Sequence, residues 1–219
     1  MLSRILEAEV MDTEADAADY DAMDFSSVNA AFAMDFIVPF SERRGSLIDI
    51  GTGTARIPIE IAKRLTDVRI TAVDLSSSML ALAKRNVEQA GFADRIELKL
   101  VDAKGMPFPD RSFRAVVSNS IVHHIPEPMS FFREAVRLVE PGGLLFVRDL
   151  FRPHDRSTLD RLVETYAGQD TPHQRQLFAD SLHAALTVDE VRAMVASLGF
   201  APSTVHATSD RHWTWTART

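Results

Sequence analysis

Cysteine is absent from all 219 residues, which removes disulfides, thiolate nucleophiles and thiolate metal sites from the chemistry open to this chain. The absence agrees with a reducing compartment and leads to the expectation of a cytoplasmic protein. Positive charge is also scarce: 24 Lys and Arg stand against 31 Asp and Glu, a formal net charge of -7. Such a field repels nucleic acid and anionic lipid, so neither is expected as a partner, and a small neutral or cationic molecule fits better. Long apolar runs are missing as well. The N-terminal segment carries Glu7, Glu9, Asp12, Glu14, Asp16, Asp19, Asp21 and Asp24, and nothing in it has the length of a signal peptide or a membrane span. There is no internal repeat and no low-complexity linker. What remains, 46% hydrophobic and 25% charged residues, is the balance of a globular chain with one substantial core.

Periodicity divides the chain. Val28 to Phe40 is helix-like and closes at Glu42-Arg43-Arg44-Gly45, so residues 1–45 read as an N-terminal helical cap. Strands are expected at Leu47–Ile50, Arg69–Val73, Arg95–Val101, Phe113–Ser118 and Leu144–Asp149. Helices are expected at Ala55–Leu65, Ser77–Ala90 and Glu127–Val139, the last stopped by Glu140-Pro141-Gly142-Gly143. Strand alternating with helix implies an α/β fold, a doubly wound and mostly parallel sheet with helices on both faces, whose ligands sit at the carboxyl ends of the strands. Residues 46–150 form that core. Polar helices over Ser157–Tyr166 and Gln174–Ala184 make residues 151–185 a helical lid. A helix over Val188–Leu198 and a hairpin over Ser203–Thr216 complete 186–219, the antiparallel hairpin bringing the sheet to seven strands.

The segment Leu47 to Ala62, LIDIGTGTARIPIEIA, carries the most chemistry. An apolar strand breaks into Gly51-Thr52-Gly53 and then into helical periodicity, a tight turn at the mouth of a parallel sheet where glycine lets the backbone approach a ligand. Asp74 ends the next apolar run, placed to hold the two hydroxyls of a ribose. A dinucleotide fingerprint needs a third glycine where Arg56 stands, which weakens a nicotinamide reading.

The segment resembles motif I of the class I, Rossmann-like S-adenosylmethionine-dependent methyltransferases, an acidic residue followed by G-x-G-x-G, here Asp49-Ile50-Gly51-Thr52-Gly53-Thr54-Ala55 with alanine in the last place. Further matches are Val73-Asp74-Leu75-Ser76, Val101-Asp102-Ala103, Ser118-Asn119-Ser120 followed by His123-His124, and Pro141-Gly142-Gly143. The resemblance spans Ser46 to Asp149, and several motifs in order are more specific than any one. It implies a small-molecule methyltransferase using S-adenosyl-L-methionine, with S-adenosyl-L-homocysteine as product. Asp49, Gly51, Gly53, Asp74, Leu75, Met79, Asp102, Ala103, Asn119 and, from the cap, Tyr20 are the cofactor-binding candidates. Each also has a plain structural role open to it: Asp74 and Asp102 as caps or turn residues, the glycines as a turn without a ligand.

The reaction so implied is an in-line displacement at the sulfonium methyl, which calls for no metal and no covalent intermediate. A hydroxyl or phenol acceptor needs a base, and His123 and His124 are the catalytic candidates; a His pair there can equally serve only to shape the loop. Arg148 and Asp149, at the carboxyl end of the fifth strand, and Tyr166 and His173 of the lid are the candidates to bind substrate. Ion pairing at the strand end and solvated helix faces are the plain alternatives. The rival functions are an RNA or protein methyltransferase, with Arg43, Arg44 and Arg56 as the one basic cluster, a nicotinamide-dependent oxidoreductase, and a non-catalytic cofactor-binding subunit. A homodimer is left open.

Overall fold

Side-chain alternation along the fifth strand decides the layering. Leu145 and Val147 bury themselves with Trp213, Trp215 and Phe132 on one face of the sheet, while Leu144 and Phe146 bury with Phe32, Phe36 and Ile59 on the other. A strand apolar on both faces must be covered on both, so the sheet lies between two helical layers. The computed structural model describes residues 2–7, 13, 17, 21 and 25–219. Its strands are β1 Arg44–Ile50, β2 Asp67–Asp74, β3 Ile96–Leu100, β4 Phe113–Asn119, β5 Val139–Leu150, β6 Val205–Ala207 and β7 His212–Arg218. They form one seven-stranded sheet in the order β3-β2-β1-β4-β5-β7-β6. β3 through β5 pair in parallel and β7 runs antiparallel to both neighbours. The order reverses direction at β1, next to β4, which places a crevice at the carboxyl ends of those two strands.

The helices are α1 Ser26–Ile37, α2 Arg56–Arg64, α3 Ser77–Ala90, α4 Pro128–Leu138, α5 Arg156–Ala167, α6 Pro172–Ala184 and α7 Val188–Ser197. α1 buries Phe32, Ala33, Phe36 and Ile37, a stripe at helical spacing. Phe32 and Phe36 meet the Phe146 ring edge-on at 5.3 and 5.8 Å, so α1 belongs to the layer on the sheet with α2 and α3. α4 and α7 cover the opposite face through Phe131, Phe132, Val191 and Val195. The 151–185 segment packs a smaller core of its own, Leu159, Leu162, Val163 and Leu182 against Leu150.

Some expectations need correction. The helical cap does not extend over residues 2–7, which have no helical structure and run along the 151–185 segment, with the Leu2 and Ile5 N–H groups donating to the His154 and His183 carbonyls. Arg44 and Gly45, assigned to the cap, start β1. Pro141-Gly142-Gly143 is not a loop ahead of a strand. β5 begins at Val139 and the pairing with β4 skips from Val139 to Leu144, so the glycines form a bulge within the strand.

Candidate active site

The carboxyl end of β1 opens a cavity of about 520 Å³. Its floor is the turn Gly51–Ala55, folded back on β2: the Gly51 and Thr52 N–H groups both donate to the Val73 carbonyl, at 2.8 and 2.9 Å. Gly51 has φ +74°, and a Cβ there would lie 2.1 Å from Ile121 Cγ2, so the residue is glycine for backbone conformation and for contact with the loop after β4. Ala55, in the motif's third glycine position, also takes a left-handed conformation, φ 60°, as the N-cap of α2. It is fully buried, which explains why only a methyl group is tolerated. Gly51→Ala is expected to destabilise the fold by about 2–5 kcal/mol, combining left-handed strain with overpacking. Adding Ile121→Ala should relieve the packing part alone, as read from denaturant midpoints.

Asp74 closes the next strand, and its carboxylate is already oriented: Oδ2 accepts from the Gly53 N–H at 2.7 Å and Oδ1 from the Ser76 N–H at 2.9 Å. The carboxylate therefore fastens the glycine turn and faces the cavity together. Ser76 caps α3 by accepting from the Met79 N–H at 3.1 Å, which sets where Leu75 and Met79 enter the cavity wall. Asp49 lines the same cavity yet is 2% exposed. Burial, reinforced by the nearby Asp74 charge, pushes its pKa up to about 7. Asp102 behaves oppositely. Burial opposes its ionisation, but the Lys104 N–H at 2.9 Å and the Lys104 ammonium at 3.0 Å hold it below the ordinary carboxylate range.

Asp49, Gly51, Gly53, Asp74, Leu75, Met79, Asp102, Ala103 and Asn119 are thus brought to one cavity, together with His124. Tyr20 lies outside the described residues. The remaining candidates go elsewhere. Asp149 is 1% exposed and turns under the loop after β4, where it accepts from His123 Nδ1 at 2.6 Å and from the His123 N–H at 3.1 Å. Burial works against both charges in this pair, but each outweighs it for the other: Asp149 is held below its ordinary range, and His123 is raised by Asp149 and Glu7. Arg148, one position earlier, points to the other face of the sheet, bonded to Thr214 Oγ1 and to Asp35. Tyr166 donates its hydroxyl to the Asp210 carboxylate beneath the Arg211 guanidinium, and His173 is exposed on α6. None of these four lines the cavity, nor does His123.

Two further residues complete the cavity wall, Asp21 and Ser120. Asp21 takes a two-pronged bond from Arg56, at 3.0 and 2.9 Å, and another from Asn86, which also donates to the Thr54 carbonyl. It thereby draws the N-terminal segment over the glycine turn, with Phe25 and Asn29 as cavity wall. This also dissolves the supposed basic cluster: Arg44 starts β1, whereas Arg56 follows its carboxyl end, roughly 20 Å along the strand, and is paired with Asp21. Ser120, in a left-handed conformation at φ 58°, is the second, a strained residue at the cavity mouth.

Residues 48–147 match the sequence model of the methyltransferase domain. Among curated proteins, the chain is 28% identical over 166 residues to the ubiquinone/menaquinone biosynthesis C-methyltransferase of Geobacter sulfurreducens, covering 71% of this chain and 64% of that protein. It is 28% identical over 164 residues to the 27-O-demethylrifamycin SV methyltransferase of Amycolatopsis mediterranei, covering 74% and 56%. The chain thus spans between about half and two thirds of the length of these relatives. Among solved structures, a candidate S-adenosyl-L-methionine-dependent methyltransferase of Methanococcus maripaludis superposes with a TM-score of 0.78 over 98% of this chain and 97% of that one, at 21% identity, a likeness of fold. Residues 48–147 therefore match a methyltransferase domain, and the chain has the Rossmann-like fold of the solved methyltransferase on which it superposes.

Proposed function

We propose that this chain is a methyltransferase that takes S-adenosylmethionine into the cavity at the carboxyl ends of β1 and β2 and methylates a small molecule. The observation that carries the reading is a pair of carboxylates with opposite needs. Asp74 is fixed by backbone N–H groups on both oxygens and faces the cavity, a carboxylate placed for ribose hydroxyls. Asp49 is buried, titrates near neutrality, and gains most from a cation beside it. S-adenosylmethionine answers both, its ribose hydroxyls the one and its sulfonium with α-ammonium the other, whereas the diphosphate of a nicotinamide cofactor would meet two carboxylates. Leu75 and Met79 would flank the adenine, Asp102 its amino group and the Ala103 N–H its ring. Gly51, Gly53 and Asn119 would border the methionine end.

The bound cofactor supplies an electrophilic methyl group, so the chain's part is to hold the acceptor about 3–3.5 Å away, in line, and to exclude water. The Asp21 contacts and Phe25 serve the exclusion. On the acceptor side the base role falls to His124, which lines the cavity. His123 is a positioning residue, pinned by Asp149. The two curated relatives, a ubiquinone/menaquinone biosynthesis C-methyltransferase and a 27-O-demethylrifamycin SV methyltransferase, support a cyclic, oxygen-bearing small molecule as acceptor. Methyl-labelled S-adenosylmethionine incubated with the protein and a fractionated cell extract tests this. Label is expected in the small-molecule fraction; label confined to RNA or protein would overturn the substrate class.

A pH dependence follows from Asp49. Its raised pKa means that below about 7 the empty site holds a proton, and a cation bound nearby displaces it. S-adenosylmethionine affinity is therefore expected to rise between about pH 6 and 7.5, below the range in which its own α-amino group titrates. S-adenosylhomocysteine, without the sulfonium, should show a weaker rise, and Asp49→Asn a flat profile. Titration calorimetry across that range checks all three.

A further inference from the structure

Beneath the cavity, the extended N-terminal segment meets the loop after β4 in a cluster that methyl transfer alone does not account for. Glu7 Oε1 lies 3.1 Å from His124 Nδ1 and 3.4 Å from His123 Nε2, and the three atoms fall within 4.8 Å of one another. Glu7 Oε1 is buried and, among the described residues, accepts no hydrogen bond, although its partner oxygen accepts from the Ser181 hydroxyl at 3.2 Å. Close approach without hydrogen-bond geometry is what results when lone pairs converge on a common point instead of on one another.

The spacing has a chemical match. Ligand bonds of about 2.0–2.2 Å at tetrahedral angles set neighbouring ligand atoms roughly 3.3–3.5 Å apart. Two histidines and a glutamate are a zinc-type ligand set, and no cysteine is needed. Beyond the ligands, an ionised carboxylate can only accept, so the Asp149 contact at 2.6 Å fixes a proton of His123 on Nδ1 and makes Nε2 the nitrogen that a cation would take, in exchange for any proton there. Carboxylate behind histidine is the arrangement that orients metal-binding imidazoles.

Charge is compatible. The Glu7 and Asp149 carboxyl groups face the cluster, with Asp180 nearby. Arg4 opposes them, its guanidinium donating to the carbonyls of His123, Ile125, Pro126 and Ala184, and Arg152 stands behind it near Glu190. Arg4 also fastens the segment that delivers Glu7.

We propose that Glu7, His123 and His124 form a site for a zinc-class divalent cation, with Asp149 orienting His123. The binding claim stands independently of the methyltransferase reading. Three protein ligands leave a fourth position for water or an acceptor oxygen. A cation on Nδ1 would keep the His124 proton on Nε2, and the cation would then supply the activation of a hydroxyl acceptor that the free imidazole supplies without it.

The test is equilibrium dialysis of the purified protein against Zn²⁺ after chelator treatment, with elemental analysis and, in parallel, the visible spectrum of the Co²⁺ form. The wild type is expected to bind one equivalent, to show the intense bands of tetrahedral cobalt, and to melt at a higher temperature with zinc than without. Glu7→Gln and His124→Ala should each lower affinity at least tenfold and lose the zinc-dependent shift, while the exposed His173→Ala retains both. Glu7→Gln is isosteric and carries the test if His124→Ala fails to fold. No stoichiometric zinc in the wild type, or equal zinc in wild type and both variants, would overturn the proposal; S-adenosylhomocysteine binding on the same samples reports separately on the cofactor cavity.

Discussion

Asp74→Ala is expected to weaken S-adenosylhomocysteine binding by roughly 10²–10⁴-fold, since two charge-assisted bonds to ribose hydroxyls are worth about 1.5–3 kcal/mol each. The structure adds a second route to the same loss. The carboxylate that would face the ribose also receives the Gly53 and Ser76 N–H groups, so its removal loosens the Gly53 end of the turn, leaving the Gly51 and Thr52 bonds to Val73 to hold it to β2. Stability should fall too, by about 1–3 kcal/mol for the stranded donors, a smaller effect than that on binding. Asp74→Asn, which keeps one acceptor oxygen, is expected to lie between. Calorimetric titration beside urea denaturation separates the two quantities, and an affinity within threefold of wild type in the alanine variant would remove Asp74 from the cofactor site.

Asp149→Ala carries the largest expected effect on stability. Breaking a buried ion pair from one side leaves the other charge uncompensated, typically about 3–5 kcal/mol, and the His123 ring is 4% exposed. The pH dependence has a definite sign. Asp149 is depressed on folding, so its contribution is present above its ordinary 3.8 and is lost as pH falls through the lower folded value. His123 is raised, so its contribution is complete below its ordinary 6.5 and fades as pH rises through the folded value. The stability gap between wild type and variant should therefore be widest between about pH 4 and 6.5 and should narrow as pH rises through the raised folded value of His123, above which the neutral Nδ1–H bond remains. Denaturant unfolding at the two ends checks it; a gap under about 1 kcal/mol throughout would show that the pair does not form.

The parts of this molecule legible in its sequence are those set by local rules. Helix α3 runs from Ser77 to Ala90 as its Ser76 cap and the left-handed Gly91 dictate, and the alternation of strand and helix fixes a doubly wound sheet. The glycine turn and the acids at the ends of β1 and β2 were legible because ligand binding at a parallel sheet constrains residue type and spacing together. Arg148 and Asp149 show the limit of reasoning from position along a strand. Both stand at the carboxyl edge, but neighbouring side chains on a strand face opposite ways, so they could not share a site, and period two settles this before any coordinates do. Asp21 and Glu7 are a different case. Each reaches partners distant in sequence, Asn86 and Arg56 for the one and the histidine pair for the other; Asp21 stands beside Tyr20 in the part of the cap expected to close over the cofactor, but no local pattern marks Glu7 as the acid that meets the histidines.

Calorimetric titration of the wild-type protein with S-adenosylhomocysteine, with NAD titrated in parallel, tests the central claim most directly. The account predicts one site of micromolar affinity for S-adenosylhomocysteine and no heat from NAD beyond dilution. Binding of NAD, with none of S-adenosylhomocysteine by a protein shown to be folded, would contradict it.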